Sequence, residues 1–151
     1  MSLLSRLGAT RVGTWTIAHV VSPLQRRLLM LTRGRVSRMG KRPVLLLTTT
    51  GRRSGRLRTT PLFYVRDGDA LVICNVRPPP ERPNPWPFNV RANPAVSVRI
   101  GGATERRTAR EATREEIDRL WPRLVAVWPA YERFYAQTHE RSIFILDEPT
   151  R

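Results

Sequence analysis

The chain has 151 residues, which is enough for one domain with a hydrophobic core and too few for two. Apolar residues make up 40% of it, which excludes an intrinsically disordered chain. Its formal charge of +15 favours phosphates, acidic partners, nucleic acid or anionic lipid as binding partners. Only Lys41 is a lysine, and an arginine bias of this kind also follows from a GC-rich genome. Charge alone therefore does not choose among these partners.

Cysteine and histidine are too scarce to build a metal site. Cys74 has no partner for an internal disulfide and follows an apolar run, which predicts a buried, inert thiol. His19 and His139 lie far apart with no metal-ligand spacing, so we expect no bound metal. No apolar run approaches the roughly 20 residues that cross a bilayer, and the N-terminus lacks a signal-peptide pattern. We expect a cytoplasmic protein.

Residues 1–40 predict a helical segment. Ser22 is a helix cap, with Pro23 in the first turn and Gln25 three residues after the cap. An apolar stripe follows at helical spacing: Leu24, Leu28 and Leu31. Arginines surround this stripe, so two interpretations stay open. The segment is either a surface helix packed on the core or an amphipathic helix that associates peripherally with a membrane.

From residue 41 onward the pattern changes to short strands joined by tight turns. The predicted strands are residues 44–50, 58–66, 70–74 and 95–100, a polar strand ending near Arg110, and residues 142–146. Turn signals join them at Asp67-Gly68-Asp69 and at Gly101-Gly102. Hairpins dominate and repeated βαβ units are absent. The sequence therefore predicts a single-domain, mainly β (α+β) protein built on a mostly antiparallel barrel with a few helices.

A C-terminal helix has a clear start signal. Thr113 and Glu116 form a predicted capping box. An apolar stripe follows at helical spacing: Ile117, Leu120, Leu124 and Val127.

Residues 77–88 stand apart because six of them are proline. Proline excludes a helix interior or a central strand, so we predict a stiff loop. The loop is either a connector that wraps the barrel or, because it carries Trp86 and Phe88, a lid or pocket wall.

The segment with the clearest chemistry is residues 48–58. Gly51 and Gly55 frame a turn directly after a buried strand. The turn region carries four arginines: Arg52, Arg53, Arg56 and Arg58. Glycine lets backbone N–H groups approach an anion, and arginine binds phosphate oxygens bidentately. The run is neither a P-loop nor a dinucleotide fingerprint, so the residues favour an anion-binding turn over a solvated basic hairpin.

Residues 44–62, with the run T-T-x-G-R-x-S-G-x-x-R-x-x-P-L, resemble the signature of the deazaflavin-dependent nitroreductase family. Three further features line up in the family's order. Residues 67–69 match its central hairpin, and residues 86–94 match its W-x-x-N-L-x-A-N-P stretch. Residues 128–143 resemble its C-terminal block. The resemblance covers most of the chain from residue 34 onward.

The resemblance implies a split β-barrel of the FMN-binding type over residues 41–151, with N-terminal and C-terminal helices. It also implies binding of the reduced deazaflavin coenzyme F420. The family's phosphate-binding positions fall on Arg52, Arg53, Ser54, Gly55 and Arg58. Its positions along or beside the deazaflavin fall on Thr60, Pro61, Leu62, Trp86 and Asn89. Where the family has a glycine-containing turn close to the ring, this chain has Asn75-Val76-Arg77 and then the proline run. We expect either a reshaped ring pocket with Asn75 beside the coenzyme, or a coenzyme that is held differently.

The activity that the resemblance implies is hydride transfer to an electron-poor small molecule: a quinone, a nitroaromatic or an activated alkene. Because the coenzyme supplies the hydride, the protein needs no catalytic triad or metal. It must orient donor and acceptor and donate a hydrogen bond or proton to the developing negative charge. The candidate donors are Tyr131, Tyr135 and Tyr64, and the family's acceptor site matches Tyr131 with Phe134 beside it. Alternatively, Tyr131 and Phe134 only pack a helix face on the barrel.

Three other functions remain to be distinguished. A non-catalytic fatty-acid or lipid carrier of the same fold has little need of the arginine cluster. An FMN-dependent reductase would use the same arginines for its phosphate. A nucleic-acid-binding module usually interleaves aromatic residues with arginines, and residues 48–58 contain no aromatic residue, so we expect no nucleic acid partner. A homodimer is left open, since barrels of this type often pair through their sheets.

Overall fold

The structure, a computed structural model, describes residues 38–39, 42–76 and 83–149. Its strands are β1 (Arg38–Met39), β2 (Arg42–Thr50), β3 (Leu57–Phe63), β4 (Val65–Asp67), β5 (Ala70–Asn75), β6 (Ala95–Ile100), β7 (Ala103–Glu111) and β8 (Ser142–Asp147). Its helices are α1 (Trp86–Ala92), α2 (Arg114–Val127) and α3 (Ala130–Thr138). No helix within these ranges is long and apolar enough to cross a bilayer.

The N-terminal part of the described chain is a strand rather than the end of a helix. Arg38 pairs with Pro43 and Met39 with Arg42, so β1 and β2 form an antiparallel pair. Strand pairing with β2 satisfies the backbone there, and the predicted helical segment 1–40 does not reach its stated end. The rest of that segment, including the predicted cap at Ser22, lies outside the described residues.

The sheet closes on itself through the chain between β3 and β4. An antiparallel path runs β2-β6-β7-β8-β5, with β3 paired to β2 at one end and β4 paired to β5 at the other. Only Tyr64 separates β3 from β4, so this nearly continuous stretch joins both ends of the path. Within the described residues β3 pairs only with β2 and β4 only with β5, so the barrel stays split between these two strands. The predicted mainly β, mostly antiparallel barrel with C-terminal helices is confirmed.

Side-chain alternation along the strands builds two cores. In β5, Leu71 and Ile73 face the barrel interior, while Val72 and Cys74 face outward. The inner core also contains Leu45, Leu47, Val98, Phe144 and Leu146. The outer core contains residues of α2 and α3: Leu120, Leu124, Ala130, Tyr131 and Phe134. Because the helices cover its outer face, β5 is apolar on both faces, as its sequence is.

Two sequence expectations need correction. The strand predicted over residues 58–66 is broken at Tyr64, because the chain changes partner there from β2 to β5 and turns the Tyr64 ring into the inner core. The loop predicted over residues 77–88 ends early, because Trp86 already begins α1. Pro87 lies in the first turn of that helix, where an N–H has no intrahelical acceptor and proline costs nothing. Residues 77–82 lie outside the described part.

The predicted capping box at the start of α2 is confirmed. The Glu116 backbone N–H donates to Thr113 Oγ1 at 3.2 Å, and the Thr113 N–H donates to Glu116 Oε1 at 2.9 Å. Arg110 on β7 adds a two-pronged ion pair to the same carboxylate at 2.7 and 2.9 Å. The Arg110 guanidinium, followed by the Thr113 N–H, lowers the pKa of Glu116 from 4.5 to about 2.

This lowered pKa predicts an acid-sensitive contribution to stability. A carboxylate whose pKa is lower in the folded state stabilises the fold fully above its unfolded pKa of 4.5. That stability is lost as the pH falls through about 2. With solvent screening of a partly exposed pair, we expect about 1 kcal/mol. The measurement is the free energy of unfolding in denaturant between about pH 6 and about pH 2, a range that spans both pKa values. This free energy should fall less steeply with decreasing pH in Glu116→Gln than in wild type, and as steeply as in wild type in the control Glu115→Gln. Equal slopes in wild type and Glu116→Gln would contradict this.

Candidate functional site

The turn between β2 and β3 is a compact loop, residues 51–56. The Gly51 N–H donates to the Arg56 carbonyl at 2.7 Å, and the Gly55 N–H donates to the Gly51 carbonyl at 2.8 Å. The Arg56 N–H donates to Ser54 Oγ at 3.1 Å. These three bonds fix the loop from within, so its exposed side chains project from a defined backbone.

Glycine is needed at two positions of this loop, for a different reason at each. A Cβ on Gly51 would lie 2.7 Å from Ser54 Oγ and 3.1 Å from the Arg56 carbonyl oxygen, so only glycine fits without movement. Gly55 has a φ of +70°, a left-handed conformation that other residues adopt at a cost. The glycines are therefore required by the shape of the turn itself.

Asn89 on α1 braces the loop from the side. Its Oδ1 accepts a hydrogen bond from the Arg52 backbone N–H at 3.0 Å, and its Nδ2 donates to Thr49 Oγ1 at 3.4 Å. Both Asn89 and Thr49 are buried. The sequence predicts Asn89 and Arg52 as members of one site, and the structure brings them into contact.

The loop presents positive charge with nothing acidic nearby in the sequence. Residues 42–66 contain no aspartate or glutamate. Four exposed guanidinium groups belong to this region: Arg52, Arg53, Arg56 and Arg58. The Arg52 guanidinium lies 4.6 Å from the centre of the Phe88 ring, a cation–π contact that holds the side chain over α1. Four of the loop's backbone N–H groups are already used, so the exposed guanidinium groups supply most of the donors that an anion would meet.

The predicted coenzyme strand has two faces. Thr60 and Leu62 on β3 pair with the inward-facing Leu47 and Leu45. Directly opposed residues of paired strands lie on the same face, so Thr60 and Leu62 are on the inner face and Pro61 is on the outer face. The structure therefore separates Pro61 from its two neighbours.

Topology brings the remaining candidates to the same end of the barrel as the loop. Three strands of alternating direction separate β2 from β5, so both strands end on one side of the molecule. Asn75 ends β5, and its Oδ1 accepts a hydrogen bond from Asn84 Nδ2 at 2.7 Å. Asn84 precedes α1, whose Trp86 is buried in the inner core, edge-on to Phe144 at 5.5 Å. Helix α1 thus connects the end of β5 to the arginine loop.

The three candidate tyrosines lie in different environments. Tyr64 is buried in the inner core, in the same cluster as Trp86. Tyr131 is buried in the outer core, in the same cluster as Cys74. Tyr135 is partly exposed, with the Arg141 guanidinium 4.1 Å from its ring centre. The three hydroxyl groups are therefore not gathered into one cluster.

Burial governs the chemistry of the Tyr131 and Cys74 pair. It raises the pKa of the Cys74 thiol to about 12 and raises the pKa of Tyr131 well above its usual value. Both groups are neutral at physiological pH, as predicted for Cys74. An acid with a raised pKa gives up its proton less readily, which weakens the case for Tyr131 as a proton donor. Within the described residues, no group of three histidine, cysteine, aspartate or glutamate side chains could hold a metal ion.

Sequence reasoning missed two residues of this site, Thr49 and Asn84. A signal for Thr49 was available, because it continues the inward-facing alternation of Leu45 and Leu47 with a polar side chain. Asn84 lies between two prolines, and nothing in the sequence pattern marks it as the partner of Asn75.

The comparisons with known proteins fit this geometry. The sequence profile of the F420H(2)-dependent quinone reductase family matches residues 20–148. The chain belongs to this family. Membership confirms the predicted oxidoreductase and its coenzyme, F420.

Similar proteins agree with the family assignment. The chain is 36% identical over 117 residues to an F420H(2)-dependent quinone reductase of Mycobacterium tuberculosis, covering 73% of this chain and 78% of that protein. A solved F420-H2 dependent reductase is 37% identical, with a TM-score of 0.63 over 70% of this chain and 95% of that one. A second solved structure, described as a domain-swapped dimer, is 31% identical, with a TM-score of 0.65 over 84% of this chain and 96% of that one. The predicted split-barrel fold is confirmed.

Proposed function

We propose that this F420-dependent reductase uses the arginine loop to hold the coenzyme phosphate and passes hydride to a quinone, a nitroaromatic or an activated alkene. The observation that carries the proposal is the loop of residues 51–56, fixed by Asn89 with its guanidinium groups exposed. Arginine binds phosphate bidentately, and a preformed loop loses little entropy on binding. Arg52, Arg53 and Arg58, with Ser54 and Gly55, are the phosphate-binding residues in this proposal.

The ring of the coenzyme is proposed to lie at the end of the barrel where β3, β5 and α1 meet. Thr60 and Leu62 supply the inner face of β3 there, and Pro61 contributes its backbone. Asn75 and Trp86 come from the end of β5 and the start of α1. When bound, the reduced coenzyme supplies the hydride. The role of these residues is to orient the ring and exclude water.

For the acceptor, we propose Tyr64 as the first candidate to donate a hydrogen bond or proton. Its place in the Trp86 cluster supports this role, whereas Tyr131 is buried on the outer side of the sheet. Tyr131 and Phe134 would then act as aromatic walls behind the site, and Tyr135 remains an alternative donor because it is partly exposed.

We also propose a cytoplasmic homodimer. The domain-swapped dimer among the similar structures supports the pairing, since that chain matches 84% of this one. Peripheral membrane association through the N-terminal segment is a separate proposal, and that segment lies outside the described residues.

Titration with oxidised F420, run beside FMN, tests the phosphate assignment. We expect the double variant Arg52→Ala/Arg53→Ala to bind F420 about a hundredfold more weakly, because each charge-assisted hydrogen bond contributes roughly 1.5–3 kcal/mol. The control Arg114→Ala/Arg133→Ala removes the same charge at two exposed helix positions and should bind as wild type does. An equal loss of F420 affinity in the two double variants would mean that the loop acts only through the overall positive charge of the protein. Tighter binding of FMN than of F420 would favour the FMN-dependent alternative.

A further inference from the structure

A groove of about 490 Å³ lies on the outer face of the sheet, across β3, β2, β6 and β7. It is lined by Leu46, Thr48, Thr59, Ser97, Val98, Arg99 and Thr104. Thr48 on β2 pairs with Thr59 on one side and with Ser97 on the other, so neighbouring strands contribute hydroxyl groups to one surface. This surface is the face of β3 opposite to Thr60 and Leu62. The groove therefore lies on the opposite side of the sheet from Thr60 and Leu62, and Pro61, which shares its face, is not among the residues that line it.

Arg99 in this groove has an unsatisfied donor. Its Nε–H is buried and has no acceptor. Every other buried side-chain nitrogen or oxygen in the described part of the chain has a hydrogen-bond partner. Leaving a buried donor unpaired costs about 1–3 kcal/mol, and more for a charged group. Buried polar groups are otherwise satisfied almost everywhere in folded proteins, so an exception calls for a partner. A guanidinium satisfies Nε–H and an adjacent Nη–H together when it binds an oxyanion.

The surroundings of Arg99 suit an anion. Ser97 lies two residues away on the same face of β6, and Thr104 is the direct partner of Arg99 on β7. Arg106 is the direct partner of Ser97, and it brings a second guanidinium to this face. Among the described residues that line the groove, none is acidic. Hydroxyl donors and positive charge favour a negative ligand, whereas a cation would meet no opposite charge.

We propose that this groove is a second ligand site, which binds a small organic anion through a phosphate or carboxylate group held by Arg99. Leu46, which lies opposite Arg99 on the same outer face, gives the groove an apolar patch for the body of the ligand. The volume lies within the range of small-molecule sites, roughly 300–1,000 Å³. Phosphate and carboxylate share the geometry that a guanidinium fork recognises, so the experiment compares both.

The test follows the Nε–H resonance of Arg99 by ¹H–¹⁵N NMR, assigned by its loss in Arg99→Lys. Phenyl phosphate and benzoate serve as probes. A saturable shift of this resonance with one or both probes is the expected result. Calorimetry should show about tenfold weaker binding in Arg99→Lys, which keeps the charge and loses the fork. Thr104→Val should weaken binding about threefold at an exposed position, so the result does not depend on whether the Arg99 variant folds.

Two controls locate the probe. Arg114→Lys makes the same change outside the groove and should bind the probes as wild type does. Arg52→Ala/Arg53→Ala should keep probe binding while it loses F420, so this proposal and the proposed function can fail separately. The second site is refuted if neither probe shifts the resonance, or if Arg114→Lys weakens binding equally. Loss of probe binding in the double variant would place the probe on the arginine loop. A shift that grows with protein concentration alone would assign the groove to contacts between copies.

Discussion

Asn89→Leu is expected to weaken F420 binding about thirtyfold while the barrel stays folded. The variant keeps the size of the side chain and removes the acceptor of the Arg52 N–H and the donor to Thr49. Both polar partners are then left unpaired next to a buried position, at about 1–3 kcal/mol each. The loop relaxes to reach other partners, so its arginines no longer hold one arrangement. Fluorescence titration with F420 measures the loss.

Asn93→Leu is the matched control for this experiment. Asn93 follows α1, four residues after Asn89, and its side chain accepts only a local 3.3 Å hydrogen bond from the Ala95 N–H in the described structure. The same change there should leave F420 affinity within about threefold of wild type, because an exposed local bond contributes little. If Asn89→Leu binds F420 as tightly as Asn93→Leu does, the hydrogen bonds from Asn89 to Arg52 and Thr49 do not contribute to coenzyme binding.

The strands that sequence predicts well are those whose pattern is local. β2, β5 and β6 have apolar alternation or continuous apolar runs, and the turns at Gly68 and Gly101 have the positive φ that glycine permits. The capping box of α2 is equally local, since both of its partners lie within four residues. Such features need no knowledge of what lies across the fold.

The errors arise where a distant partner decides the structure. Tyr64 breaks a strand-like run because β4 has to reach β5, which is a property of barrel closure. Trp86 begins a helix inside a proline-rich segment because Pro87 falls in the first turn, and spacing alone did not reveal where that turn starts. Strand order in the barrel, with β6 beside β2 and β8 beside β5, is likewise a non-local result.

The candidate site shows the same division. The glycine-arginine loop is visible in the sequence, but the hydrogen bonds that occupy four of its backbone N–H groups are not, because one of them comes from Asn89 on a distant helix. The sequence predicts Tyr131 as a donor. In the structure, the register of β5 places Cys74 on the outer face, where it packs in the same cluster as Tyr131. Faces of strands follow from register, and register needs the partner strand.

Phe144→Ala is expected to lower the free energy of unfolding by about 4 kcal/mol, since Phe→Ala in a core costs about 3–5 kcal/mol. Phe144 is 1% exposed at the centre of the inner core, and Trp86 meets its ring edge-on at 5.5 Å. The lost aromatic pair adds to the cavity left behind. Guanidinium unfolding at neutral pH, followed by tryptophan fluorescence, measures the change.

Phe88→Ala makes the same substitution on the surface. Phe88 is 37% exposed and its ring contacts the Arg52 guanidinium, so its loss should cost less than about 1 kcal/mol of stability. Both variants remove one benzyl group, and burial is the difference between them. A similar loss in the two variants would mean that the barrel interior is not packed around Phe144. A large loss in Phe144→Ala alone, with a weaker F420 affinity, would show that the core under Trp86 also holds α1 and its Asn89 in place.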